Sequence, residues 1–320
     1  MSPSPVPLVI LTGFLGAGKT TVLNRVLGAQ HHRRVGVIVN ELGRIDVDAR
    51  LLKQRAGDVV ELAGGCVCHE VRTMQELWEG LEEILRRSRP DCLVLETTGI
   101  AEPSPLLEGL AEHPLYGQAI VASRVVTVVD AQAGVATLAR HAEARAQVET
   151  ADRILLSKID LASAAELGAL HRVLDDLNPA AERASFPPGA NGTGALVPWL
   201  LDKLVPRTER EDGGSLRPHR HGQLSVVALT EEAPLVGEPL LALCGRLGST
   251  LIRAKGLVRL AGDPRPAFLE RAGSQLSLRM GEVWPDGRRC TEIVLIGEGL
   301  DAAALERQLW ACRAPGQSDA

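Results

Sequence analysis

Aromatic side chains are scarce in this chain of 320 residues, where Phe, Trp and Tyr together make up 2%. Hydrophobic residues still reach 45%, so aliphatic side chains must build the core. No apolar run approaches the ~20 residues of a membrane-spanning helix, and Met1–Pro7 has neither the basic region nor the apolar core of a signal peptide. We therefore expect no membrane partner and a cytoplasmic location.

An excess of basic residues is also missing, since the formal net charge is -5. A broad nucleic-acid interface normally needs a strongly basic surface, so we expect no nucleic-acid partner. The six cysteines are scattered apart from one close pair. This spacing is typical of free thiols in a reducing compartment and not of a disulfide framework.

A phosphate-binding loop stands near the start of the chain. Residues 13–20 fit the pattern G-x-x-x-x-G-K-[ST], between an apolar strand at Val6–Leu11 and a helix that begins about Lys19. In this pattern the lysine reaches the β- and γ-phosphates, and the hydroxyl of Thr20 suits a Mg²⁺ ligand. The residues predicted to hold the nucleotide phosphates are Gly13, Gly16, Ala17, Gly18, Lys19, Thr20 and Thr21.

The order of apolar segments predicts the fold. Strand-like and helix-like segments alternate from Val6 to about Val205, which is typical of a parallel sheet wrapped by helices. A polar segment rich in helix breakers follows at 207–222 and indicates a linker. We predict an α/β fold with two domains. They are a P-loop NTPase domain with a mostly parallel sheet wrapped by helices at 1–206 and a smaller C-terminal α+β domain at 223–313, with a tail at 314–320.

Individual elements follow from the same pattern. In the first domain the further strands are predicted at Val35–Asn40, Val59–Leu62, Cys92–Glu96, Val125–Asp130 and Ile154–Ser157. In the second domain the strands are predicted at Gln223–Thr230, Leu257–Ala261, Leu276–Arg279 and Ile293–Ile296, with helices at Leu235–Leu247 and Asp301–Cys312.

Two of the predicted strands end on residues suited to nucleotide chemistry. Glu96 closes an apolar strand and is placed for a water-mediated Mg²⁺ contact, and Gly99 is placed for a backbone contact to a γ-phosphate. An ordinary strand end followed by a turn is the alternative.

The strand ending at Ser157 leads into Lys158 and Asp160. An aspartate here accepts two hydrogen bonds from N1 and N2 of guanine, and adenine offers no such pair of donors. The segment therefore favours GTP, although Ser157 stands where guanine-specific GTPases most often carry Asn.

A short loop before Glu96 carries Cys66, Cys68 and His69, and it opens a helix predicted at His69–Arg87. A helix N-terminus favours the thiolate form of a cysteine. Two sulfur atoms and an imidazole match Zn²⁺ or another borderline ion, with the fourth position left to a carboxylate, water or recipient ligand. The alternative is that the cysteines are small buried residues and the histidine caps the helix.

Taken together and in this order, the motifs resemble the CobW-type branch of the P-loop metallochaperone GTPases (the CobW/HypB/UreG superfamily). The motifs are the P-loop, Asn40–Gly43, Gly65–Cys68, Glu96–Pro103 and Arg253–Gly256. The resemblance covers nearly the whole chain. It implies GTP binding and hydrolysis with Mg²⁺, and delivery of zinc or cobalt to a client metalloprotein.

Residue roles are implied by the match to the family motifs. Lys19 and Thr20 would hold phosphate and Mg²⁺, and catalysis would also involve Asp48 and Glu96. Glu41 and Asp48 would belong to the first switch, and Glu96 and Gly99 to the second. The transition metal would be bound by Cys66 and Cys68, with His69 and Glu41 as further ligands. Ser157, Lys158 and Asp160 would contact the base.

The chain departs from the family pattern at three places. His69 replaces the third cysteine of the usual Cys-x-Cys-Cys loop, which exchanges a charged soft ligand for a neutral one and leaves the metal identity open. Ser157 replaces the usual Asn. The linker keeps only His219 and His221 of the His-rich run that many members carry, and we expect that pair to be solvated. His113 is a further isolated ligand candidate.

The position of the Cys loop predicts how the metal is released. The loop lies between the first switch (40–48) and the second (96–99). When the γ-phosphate is lost and the switches rearrange, the metal can lose a ligand such as Glu41.

Two alternatives stay open, a regulatory GTPase without metal delivery and a small-molecule kinase. The sequence leaves self-association open as well.

Overall fold

The computed structural model describes residues 5–29, 33–41, 59–63, 71–114, 116–187, 190–205, 224–272, 275–281, 284 and 289–314. Described residues up to 205 belong to one compact unit, and those from 224 onward belong to a second unit. The predicted linker at 207–222 lies outside the described residues.

The first unit contains seven strands and seven helices within the described ranges. The strands are β1 (Val6–Thr12), β2 (Val35–Glu41), β3 (Val59–Ala63), β4 (Cys92–Glu96), β5 (Ile120–Asp130), β6 (Arg153–Ser157) and β7 (Glu182–Ser185). The helices are α1 (Lys19–Leu27), α2 (Val71–Ser88), α3 (Pro103–Ala111), α4 (Gly134–Arg140), α5 (Ala142–Thr150), α6 (Ala164–Leu177) and α7 (Ala190–Leu201).

The strands of this unit form one parallel sheet in the order β3-β2-β4-β1-β5-β6-β7. Strand β1 lies in the middle and is apolar throughout Leu8–Leu11, because helices cover a parallel sheet on both faces. Leu8 and Ile10 pack with Leu77 and Leu81 of α2, so that helix covers one face. Adjacent residues of a strand point to opposite faces, so Val9 and Leu11 supply the other face.

Sequence prediction and structure agree on the strands that carry the motifs and differ at the edges. β5 begins at Ile120, five residues before its predicted start at Val125. β7 was not predicted, because its sequence Glu-Arg-Ala-Ser has no apolar run and half of it is exposed at the sheet edge. The described part of helix α2 begins at Val71, and the predicted start at His69 lies outside the described residues.

The second unit is an antiparallel sheet with helices. Its described elements are β8 (Leu224–Glu231), α8 (Gly237–Arg246), β9 (Leu251–Arg259), β10 (Pro266–Ala272), β11 (Gln275–Met280), β12 (Thr291–Glu298) and α9 (Ala302–Trp310). The strand order is β11-β10-β9-β12-β8. Leu240 and Leu243 of α8 and Leu305 and Leu309 of α9 pack on residues of the sheet in one core.

Two predictions for this unit were wrong in detail. β9 begins at Leu251 and not at Leu257, since Arg253 and Lys255 interrupt the apolar pattern that was used to place it. β10 was missed because Pro266 stands at its start and Glu270 and Arg271 lie near its end. Among the helices that the structure describes, none is long and apolar enough to cross a membrane.

Candidate nucleotide site

The P-loop joins β1 to α1 at the carboxyl edge of the parallel sheet. Gly13 has a φ of 138°, and a Cβ atom there would lie 2.3 Å from the carbonyl oxygen of Val128 on β5. Only glycine fits, because the backbone conformation and the neighbouring strand both exclude a side chain. The buried Lys19 Nζ donates a hydrogen bond to the Gly13 carbonyl oxygen at 2.8 Å. The lysine charge is therefore held within the loop.

The other predicted P-loop residues have the conformations that this loop requires. Gly16 and Gly18 also have positive φ, at 77° and 99°. Ala17 is buried, and its N–H donates to the Phe14 carbonyl oxygen at 3.1 Å. Thr21 lies on α1 and is exposed.

A direct hydrogen bond joins the two residues predicted for Mg²⁺. The Thr20 hydroxyl donates to Oε1 of Glu96 at 2.7 Å, although the two residues are 76 positions apart in the chain. Glu96 is the last residue of β4 and is only 3% exposed. A hydroxyl and a buried carboxylate at this distance form the kind of oxygen donor set that Mg²⁺ prefers.

The segment 96–101, called here the switch segment, is fixed against the P-loop. The Thr97 hydroxyl donates to the hydroxyl of Thr12 at 2.9 Å, and the Thr97 N–H donates to the Leu11 carbonyl oxygen at 3.0 Å. At Gly99 a Cβ atom would lie 2.8 Å from the backbone nitrogen of Leu15. The Gly99 backbone therefore touches the P-loop with no space for a side chain.

Ser157 is the last residue of β6, and Lys158 and Asp160 follow that strand. The Ser157 hydroxyl donates to the Ala17 carbonyl oxygen at 2.6 Å, so the residue that departs from the family pattern ties the segment to the P-loop. Lys158 has a φ of 53°, and its Nζ donates to Oδ2 of Asp130 at 2.6 Å. Asp160 is exposed in the turn that follows.

The side chains predicted to bind the transition metal fall outside what the structure describes. Cys66, Cys68, His69 and Asp48 lie outside the described residues, and for Glu41 only the backbone at the end of β2 is described. Over the described ranges, no group of three or more His, Cys, Asp or Glu side chains is arranged to hold a metal ion.

Described cysteines and histidines elsewhere have structural surroundings. Burial raises the pKa of the thiols of Cys92 and Cys244 to about 11, so both stay protonated at neutral pH. His113 stacks on the indole of Trp78 with ring centroids 3.9 Å apart, a packing role for this isolated ligand candidate. His219 and His221, like His31 and His32, lie outside the described residues.

Two residues of the site were not predicted from sequence. Asp130 ends β5 as Glu96 ends β4, and its Oδ1 also accepts hydrogen bonds from the N–H groups of Gln132 and Ala133 at 2.9 and 3.1 Å. The rule that residues after parallel strands meet at one sheet edge would have found it. Gln147 lies on α5 and donates to the carbonyl oxygens of Gly99 and Ala101. No sequence pattern distinguishes it from any other helical glutamine.

Comparison with known proteins agrees with this architecture. The family model described as the CobW/HypB/UreG nucleotide-binding domain matches residues 7–184, and the model of the cobalamin synthesis protein cobW C-terminal domain matches residues 224–313. The chain is 29% identical to "Zinc chaperone YjiA" of Escherichia coli, over 92% of this chain and 94% of that protein. It is 31% identical to "Zinc chaperone CobW" of Pseudomonas aeruginosa, over 95% and 90%.

A third relative aligns only with part of the chain. It is "Zinc-regulated GTPase metalloprotein activator 1" of Schizosaccharomyces pombe, 34% identical over 54% of this chain and 44% of that protein.

Proposed function

Because the chain belongs to the CobW/HypB/UreG family, we propose that it is a Mg²⁺-dependent GTPase that carries a divalent transition metal to a client metalloprotein. The observation that carries the proposal is the 2.7 Å hydrogen bond between Thr20 of the P-loop and the buried Glu96 of the switch segment. It joins a phosphate-binding loop to a carboxylate at the end of the adjacent strand, an arrangement that a P-loop NTPase needs.

In hydrolysis, water attacks the γ-phosphorus, the bond to the β–γ bridging oxygen breaks, and GDP and phosphate leave. The backbone N–H groups from Gly13 to Thr20 would bind the phosphates, and Lys19 would leave the Gly13 carbonyl oxygen to reach them. Thr20 and Glu96 would hold Mg²⁺, which when bound neutralises charge on the β- and γ-phosphates. Gly99 would donate its N–H to the γ-phosphate, and Asp48 would belong to the first switch.

The base site would favour guanine. Asp160 would accept hydrogen bonds from N1 and N2 of the base, and Lys158 would lie along the base while Asp130 holds its ammonium group. Ser157 supports the site, because its hydroxyl donates to the Ala17 carbonyl oxygen of the P-loop at 2.6 Å.

The cargo would be Zn²⁺ or Co²⁺, held by Cys66 and Cys68 with His69 and Glu41. Two thiolates and an imidazole suit both ions. Two of the relatives are named zinc chaperones, which favours zinc for this chain. The proposal includes a client metalloprotein that receives the metal and the cytoplasmic location expected from the sequence.

Nucleotide choice tests the GTPase part of the proposal. In competition binding, the wild-type chain should prefer GTP to ATP, and Asp160→Ala should lose the preference. Equal affinity of the wild type for GTP and ATP would contradict guanine recognition by Asp160. It would then favour the alternative function, a small-molecule kinase.

Cobalt spectroscopy tests the cargo site, because thiolate ligation gives Co²⁺ an intense charge-transfer band. Cys66→Ala and Cys68→Ala should each weaken that band, whereas Cys92→Ala should not, since Cys92 is a buried, protonated thiol. A band unchanged in the first two variants would place the site elsewhere. No band in the wild type would favour a regulatory GTPase without metal delivery.

A further inference from the structure

Gln147 is a completely buried polar side chain that contacts the switch segment. It has 0% exposure. Its Nε2 donates to the carbonyl oxygen of Ala101 at 3.0 Å and to that of Gly99 at 3.3 Å. One side-chain amide on α5 thus bonds two carbonyl groups of the segment that joins β4 to α3.

Helix α5 is itself fixed to the sheet at the same residue. The Thr127 hydroxyl of β5 donates to the backbone carbonyl oxygen of Gln147 at 2.6 Å. The helix ends at Thr150, and the chain then enters β6 at Arg153, the strand that leads to Lys158. Gln147 therefore connects the switch segment with the helix that precedes the base-binding segment.

Packing alone does not account for a glutamine here. The residue lines a cavity of about 40 Å³ together with Phe14, Leu15 and Val148, and a leucine or methionine would fill such surroundings without a polar atom. The Gln147 Oε1 atom is buried with no hydrogen-bond partner among the residues described. A buried unsatisfied acceptor is destabilising, so the amide lowers the stability of the fold relative to an apolar side chain of similar size.

The bonds that Gln147 makes restrict two peptide groups, the one between Gly99 and Ile100 and the one between Ala101 and Glu102. Gly99 has no room to move toward Leu15, because even a Cβ atom would lie 2.8 Å from the Leu15 nitrogen. The Gln147 amide on the Gly99 carbonyl oxygen adds a second contact, which limits rotation of the segment relative to the P-loop. The Gly99 N–H, to which we assign the γ-phosphate, stands in the same short segment.

We propose that Gln147 is a positioning residue for GTP hydrolysis, which holds the switch segment so that it distinguishes GTP from GDP. The inference rests on the proposed function, since it needs Gly99 to contact the γ-phosphate. Gln147 touches neither nucleotide nor Mg²⁺ in this scheme and acts through the Gly99 and Ala101 carbonyl groups. Its removal affects ligands that carry a γ-phosphate and leaves GDP binding intact.

The test compares Gln147→Met with Arg145→Met. Arg145 lies on the same helix and also donates to two backbone carbonyl groups, Leu138 and Ala139, but those belong to α4 and not to the switch segment. For each variant, calorimetry with Mg²⁺ gives the affinity for GDP and for a non-hydrolysable GTP analogue, and phosphate release gives kcat. Thermal unfolding confirms that each variant is folded.

Gln147→Met should weaken binding of the analogue about tenfold, because the ligand must then order a segment that two neutral hydrogen bonds hold in the ligand-free wild type. The GDP affinity should stay as in the wild type, and kcat should fall by a similar factor. Arg145→Met should change neither affinity ratio nor kcat. If Gln147→Met does not fold, Gln147→Leu replaces it, because a leucine fits the apolar lining of the cavity.

The inference would be overturned if the Gln147 variants kept the wild-type ratio of analogue affinity to GDP affinity. That outcome could arise because both affinities fall by the same factor or because neither affinity falls. Either result leaves the GTPase assignment standing, because the wild type still binds GTP. A different result would be equal affinity of the wild-type protein for GDP and for the analogue. It would show that Gly99 makes no contact with the γ-phosphate, and it would contradict the proposed function of the switch segment.

Discussion

Gly99→Ala is the substitution that most sharply tests whether the switch segment is seated on the P-loop. An alanine Cβ would lie 2.5 Å from Cδ2 of Leu15, 2.8 Å from its nitrogen and 2.9 Å from its Cα. The side-chain methyl group of Leu15 can rotate away, but its backbone cannot, because it is part of the P-loop. The two segments must therefore separate.

Overpacking of this kind costs about 1–3 kcal/mol of unfolding free energy. In a unit of this size the loss lowers Tm by about 2–12 °C. Differential scanning calorimetry of the ligand-free protein measures it, and the affinity for a non-hydrolysable GTP analogue should fall more than that for GDP.

Gly168→Ala is the matched control. Gly168 lies inside α6, and a Cβ atom there meets nothing within 4 Å. The same substitution should therefore stabilise by about 0.5–1 kcal/mol and leave nucleotide binding unchanged. A Gly99→Ala protein with wild-type Tm and wild-type affinity for the analogue would refute the reasoning, because the switch segment would then not be held against Leu15.

Three further predictions concern the P-loop, the base segment and α6. Lys19→Ala should abolish GTP hydrolysis in a phosphate-release assay, since the bound phosphates lose their main positive partner. Hydrolysis at the wild-type rate would show that Lys19 does not bind the phosphates. Ser157→Ala breaks the 2.6 Å bond to the P-loop and should weaken GDP and GTP alike, by about 0.5–1.5 kcal/mol in titration calorimetry, whereas a selective loss of GTP would contradict its supporting role. Ser163→Ala removes the N-cap of α6 and should cost about 1 kcal/mol in urea unfolding at neutral pH. The Ser163 hydroxyl and N–H lower the pKa of Glu166, so that contribution is present above the unfolded-state pKa and is lost as pH falls through the folded-state pKa. The difference between wild type and Ser163→Ala should therefore shrink below about pH 4, and a constant difference would show that Glu166 takes no part.

The sequence was sufficient for those parts of the site in which one short segment specifies both conformation and chemistry. The P-loop is such a segment, because an apolar strand, positive-φ glycines and a helix start occur within 15 positions of one another, and the structure has β1, the loop and α1 where they were expected. The ends of β4 and β6 were likewise found, since each closes a buried apolar run.

The rest depended on contacts between distant segments. Thr20 and Glu96 are 76 residues apart, and only the strand order of the sheet places them within 2.7 Å. Gln147 resembles any glutamine in a helix until the fold brings it to Gly99 and Ala101. Strands such as β10 were missed because their contacts with neighbouring strands, and not their own apolar pattern, determine the structure.

Whether nucleotide state controls metal binding is the most direct test of the chaperone proposal. Delivery driven by GTP requires the GTP-bound and GDP-bound forms to differ in metal affinity, because a nucleotide with equal effect on both states shifts nothing. Linkage requires the metal to change the ratio of GTP to GDP affinity by the same factor.

The measurement is a titration of Zn²⁺, with a chelator as competitor, into the protein saturated with GDP or with a non-hydrolysable GTP analogue. We expect metal affinities that differ about 5- to 150-fold between the two states, and a smaller difference in Glu41→Ala if that residue links the first switch to the metal. Identical affinities in both nucleotide states would contradict the account and leave a GTPase with an incidental thiol site.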